Sequence, residues 1–127
     1  MTRFAHPTIL ACCVAVLSLA AHSGPTLSVY LKNYYTEYQV VRDCSEHAHL
    51  SAADAAKAKE VMTKIESYYL RRDATIDKDS LMKQAVAHKN VAFKMMRETS
   101  KVDLGQFCRA SLNDLVGKLK DIEAAAK

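Results

Sequence analysis

His47 and His49 stand one residue apart, directly after Glu46 and shortly after Cys44, forming the densest run of metal-binding side chains in the sequence. Imidazoles and a carboxylate suit a borderline divalent ion, but structural zinc takes four protein ligands and catalytic zinc three plus an open position. If Cys44 is oxidised, only Glu46, His47 and His49 remain. The pattern predicts a solvated loop that holds a metal weakly, if at all.

His88 is the second candidate. It falls in the middle of an apolar row made by Leu81, Ala85, Ala92 and Met95. Buried there, its charge balance would be tuned by its surroundings, which suits a general base, a metal or haem ligand, or the edge of a small-ligand cavity. Met95 sulfur is the one potential co-ligand in that row. A core histidine with a polar partner is the plainer expectation.

Lys83, Lys94, Arg97 and Lys101 align on the side opposite Leu81, His88 and Met95, and residues 78–101 hold six basic and two acidic side chains. This stripe is either a solvated helix face or a surface for an acidic protein partner in the cell envelope. Tyr35 and Tyr68 each lie about 100° around a helix from a tyrosine on an apolar seam, so they either flank the core or extend a contact surface. Met62, Met82, Met95 and Met96 suit core packing at helical spacing.

The signatures of common catalytic machinery are missing: there is no Walker loop, no dinucleotide glycine motif, no nucleophile elbow, no H-E-x-x-H and no C-x-x-C-H. The expectation is a non-enzymatic protein that binds another macromolecule and needs no cofactor. The alternative is a small-ligand or metal-binding protein using His47 and His49 or a cavity near His88.

These side chains must be positioned by the rest of the chain. It has 127 residues, half of them apolar, with 3 Gly, 2 Pro and a formal charge of +4. That length suits one domain, the composition argues against disorder, and so few turn-formers argue against an all-β fold. The first stretch has Arg3, an apolar run from Thr8 to Ala21 and small residues after it. This is the layout of a secretory signal peptide, and the run is too short to span a membrane. Residues 1–23 are therefore expected to be removed, with cleavage after Ala20, Ala21 or Ser23. Residues 24–127 are expected to form a periplasmic or secreted domain with no stable membrane span. Its 17 basic and 14 acidic residues are too nearly balanced to predict nucleic-acid binding.

Two cysteines remain in that domain, Cys44 and Cys108, 64 residues apart. An even count in an exported chain predicts a disulfide.

Four amphipathic segments follow one another. Leu27, Leu31, Tyr34, Tyr38 and Val41 mark the first stripe, and Ala55, Ala58, Met62, Ile65 and Tyr69 the second. The third carries two rows, one through His88 and one through Met82, Val86, Phe93 and Met96, which predicts contact with two neighbouring helices. Leu104, Cys108, Ser111, Leu115, Leu119 and Ile122 mark the fourth. Ser51 with Asp54, Asp77, and Ser100 with Asp103 offer N-terminal caps. Short connections make sequential helices antiparallel. The predicted fold is all-α: an antiparallel up-down four-helix bundle. In that topology Cys44 and Cys108 fall at the same end.

Overall fold

The computed structural model describes residues 26–99, 101 and 103–127. The signal-peptide segment, residues 1–23, and Ser100 lie outside the described residues. Four helices follow in order: α1 (Leu27–Glu46), α2 (Ala52–Arg72), α3 (Lys78–Glu98) and α4 (Leu104–Ala125). Each is about 30 Å long at 1.5 Å per residue.

Local chemistry sets the helix starts. Ser51 accepts from Asp54 N while the Asp54 carboxylate accepts from Ser51 N, completing a capping box at α2. Asp77 accepts from Ser80 N at α3, and Asp103 caps α4 by accepting from Gln106 N. α1 ends in a Schellman turn: His49 N donates to Cys44 O and Ala48 N to Ser45 O. The residue in the left-handed position is Ala48, at φ 60°, where glycine is the usual occupant.

α1 is the axis of the molecule. It packs against α2, α3 and α4, and α2 also packs against α4. Among the described residues, no Cα of α3 comes within 8 Å of a Cα of α2 or α4. The bundle is thus a trio of helices with α3 laid along one member. α1 and α3 run parallel, since Gln39 meets Met82 and Asp43 meets Lys89 in ascending order. α2 and α4 run the other way.

This arrangement corrects three expectations. α1 is surrounded, so its buried arc is wider than one stripe. Leu31 and Val41 are buried as expected, but so are Tyr35, Gln39, Val40 and Cys44, while Tyr34 and Tyr38 are only half-buried. Tyr35, assigned to the flank or a contact surface, is 1% exposed and cannot touch a partner. α3 lays its backbone beside α1 alone, reaching α4 through Phe93 against Phe107 and α2 through Lys78 with Glu66, and only Leu81 and Ala85 are fully buried along it.

The third correction concerns His88, which is exposed. The seam of α3 runs instead through Leu81, Ala85, Lys89, Ala92, Phe93 and Met96, all buried or half-buried. Lys89 holds its place there by pairing with Asp43 of α1 at 3.2 Å. Met95, drawn in the same row as His88, is 63% exposed.

The disulfide joins Cys44 to Cys108 with their Cα atoms 5.8 Å apart, at the shared end of α1 and α4. Both cysteines are buried. Near the middle of α1, Tyr35 donates to Glu66 Oε2 at 2.6 Å, and Lys78 lies 3.5 Å from Glu66 Oε1. One carboxylate of α2 therefore ties α1 to the start of α3. Burial first, then this hydrogen bond, pushes the Tyr35 hydroxyl well above its usual range. Among the described residues no helix is long and apolar enough to cross a membrane.

Candidate functional site

Because the backbone of α3 lies close to α1 alone, most of its circumference faces solvent. Ala87, Val91 and Met95 recur every four residues, so they form one line along the helix, and all three are exposed. Val91 is 58% exposed. Beside that line stand Lys83, Lys94 and Arg97, with Lys101 on the link to α4, and all four are exposed. Of the proposed contact residues, these basic four share one side of the molecule, whereas Tyr68 belongs elsewhere. Tyr68 is half-buried on α2, edge-on to Tyr69 at 5.2 Å, with the Arg72 guanidinium 4.0 Å from its ring centre. It is a packing residue at the α2–α4 side.

Of this row the sequence pattern singles out Met95 alone, as part of a core row with His88. Nothing in its spacing tells a helix with two neighbours from a helix with one.

The wide spacing of the α3 and α4 backbones also leaves a groove of about 430 Å³. Asn33, Thr36, Glu37 and Val40 of α1 form its floor. His88 and Ala92 of α3 line one side, and Phe107 and Ser111 of α4 the other. His88 is thus at a groove, though on its rim rather than in a core. Beyond it Phe93 and Phe107 meet edge-to-face at 6.0 Å and link α3 to α4. Glu37 Oε2 is buried on the groove floor without a hydrogen-bond partner. Burial, with repulsion from Asp114 added and attraction from Lys118 partly offsetting it, pushes the Glu37 carboxyl up to about 7. The sequence hid this residue because its neighbours on α4 are more than seventy positions away.

A smaller cavity of about 120 Å³ lies over the disulfide, bounded by Asp43, Cys44, His47, His49, Phe93, Arg97 and Leu104. The Schellman turn through Ala48 brings both His47 and His49 to it. Glu46 does not join them, since it pairs instead with Arg42 at 3.7 Å. His47 Nδ1 lies 2.8 Å from Asp43 O, within its own helix end. Among the described residues no group of three or more His, Cys, Asp or Glu is gathered closely enough to hold a metal ion. With Cys44 oxidised and Glu46 turned to Arg42, His47 and His49 stand on an exposed turn.

On the α2–α4 side, Arg109 donates to both Asp54 oxygens at 3.1 and 3.0 Å. Those bonds, and the capping bonds from Ser51, hold the Asp54 carboxyl down to about 2. This fork locks the start of α2 to α4.

No protein-family model, curated protein or solved structure matches the chain significantly. The fold defines an all-α, disulfide-bonded four-helix protein.

Proposed function

We propose that this chain is an exported, non-enzymatic protein that binds an acidic protein partner along the outer face of α3. The observation that carries this reading is the exposed apolar row Ala87, Val91 and Met95 beside the basic row Lys83, Lys94 and Arg97, on a helix packed on one side only. Apolar anchors supply affinity and the flanking charges supply orientation and rate. The charge pattern selects the occupant. Two copies meeting through this face would set cations against cations, so a second copy is disfavoured. An amphipathic helix with an acidic flank would satisfy both rows.

Export is supported by the pattern of residues 1–23 and by the Cys44–Cys108 bond, which belongs in an oxidising compartment. Fractionation of the expressing cell, with N-terminal sequencing of the exported chain, tests this. A new terminus after residue 20, 21 or 23 is expected, and a cytosolic chain retaining residue 1 would overturn it.

The docking reading is tested with a labelled amphipathic peptide helix bearing an acidic flank, followed by fluorescence anisotropy. Saturable binding that weakens with salt is expected, with at least a tenfold loss in the Lys94→Glu, Arg97→Glu double variant. Equal binding of a basic-flanked control peptide would sink the reading. So would binding to anionic lipid vesicles without binding to the peptide.

A further inference from the structure

We propose that the groove between α3 and α4 binds a small primary ammonium ion with a short apolar body, using Glu37 as its counter-ion. This site is separate from the α3 docking face and does not depend on it.

The groove has the volume of a small-molecule site, about 430 Å³ against the usual range of about 300–1,000 Å³. Its walls are mixed in a useful way. Val40, Ala92 and Phe107 present apolar and aromatic surface, while Asn33, Thr36 and Ser111 offer hydrogen-bonding groups around the floor. Glu37 Oε2 is buried there without a partner. A buried carboxylate oxygen left unpaired costs stability, and native structures rarely keep one without a reason.

Ligand charge follows from the groups around it. Asp114 on α4 adds negative charge near Glu37, and Lys118 on α4 opposes it. Among the described residues Lys118 makes no ion pair with Glu37, so the carboxyl has no cation of its own, and a ligand in the groove reaches Oε2 when the side chain turns toward it. His88 is the titratable group contributed by α3, and α2 contributes no lining residue. A primary ammonium brings three donors and one positive charge to a site holding an unmatched acceptor. The aromatic wall of Phe107 suits an attached ring or short chain. An anion would meet two carboxylates, and a neutral molecule would leave the charged form of Glu37 unmatched.

Binding must then be coupled to protons. The cation pairs with ionised Glu37, so it expels the proton that the buried carboxyl holds near neutral pH. Affinity rises with pH toward about 7 and levels off above it.

The probe is phenethylamine, with 2-phenylethanol and phenylacetate as neutral and anionic controls of the same shape. Calorimetry at pH 7.5 should show saturable binding of the amine, at least tenfold tighter than either control. Glu37→Gln should lose at least tenfold, and the loss should be smaller at pH 5.5. Ala92→Leu, which fills the groove without touching Glu37, should also weaken binding. In the unsubstituted chain, carbon-13 detection of the Glu37 carboxyl should show its titration midpoint falling by about one pH unit with amine present. Equal binding of the amine and the alcohol overturns the proposal, as does an unchanged Glu37 midpoint at saturating amine. Absence of saturable amine binding at pH 7.5 overturns it as well.

Discussion

Lys89 Nζ lies 3.2 Å from Asp43 Oδ2 at the middle of the α1–α3 seam, where an all-apolar stripe would place another aliphatic side chain. Both side chains are largely covered, at 13% and 28% exposure. Exposed pairs are worth little, but removing one partner of a covered pair strands the other. Asp43→Ala should therefore destabilise the fold by about 1–3 kcal/mol. The Asp43→Leu, Lys89→Met double variant, which removes both charges and restores an apolar seam, should cost far less. Urea titrations of both variants check this, and similar losses in the two would argue against it.

The Cys44–Cys108 bond closes a loop of 64 residues between the first and last helices. Reducing it should cost about 2–5 kcal/mol, chiefly by releasing the unfolded chain. The Cys44→Ser, Cys108→Ser double variant should lose the same amount, and reductant should then have no further effect. Thermal melts with and without reductant measure both.

Opposite exchanges of glycine and alanine should each stabilise the protein. Ala48 occupies the left-handed turn after α1 at φ 60°, where a Cβ is penalised, so Ala48→Gly should gain about 1 kcal/mol. Gly117 lies inside α4, and a Cβ there would meet nothing within 4 Å. Gly117→Ala should gain a similar amount, about 1 kcal/mol, from helix propensity. Denaturation midpoints should rise for both, and a fall for either would show that the local geometry has been misjudged.

Glu37 should make stability fall as pH rises. Its carboxyl ordinarily titrates at 4.5, and burial pushes it up to about 7 in the folded chain. Between those values the folded state holds a proton that the unfolded state has released. The neutral carboxyl's contribution is full below about pH 4.5 and is lost as pH rises through about 7. Glu37→Gln cannot ionise, so its stability relative to the unsubstituted chain should improve from pH 5 to pH 8. Paired urea midpoints at the two pH values measure the difference, and a constant offset would contradict the assignment.

Much of the scaffold was readable from local signals. The four helices, the capping box at Ser51 and Asp54, the cap at Asp77 and the Cys44–Cys108 pairing follow from periodicity, side-chain chemistry near the helix ends, and cysteine parity. Such signals act within a few residues, or depend only on chain connectivity. The candidate sites were less legible. Lys83, Lys94, Arg97 and Lys101 were recognised as a surface, but Tyr35 was placed outside and His88 inside, and Glu37 was not singled out.

Those differences share one cause. Periodicity states which residues lie on the same side of a helix, but not how many neighbours the helix has. Tyr35, Glu37, His88, Lys89, Val91 and Met95 owe their burial or exposure to how many neighbours their helix has. The sequence by itself determined four amphipathic rods, their alternating directions and the bond between the first and last. Only tertiary packing decided that α1 would be the enclosed axis and α3 an outrigger, because burial depends on what each face meets across space.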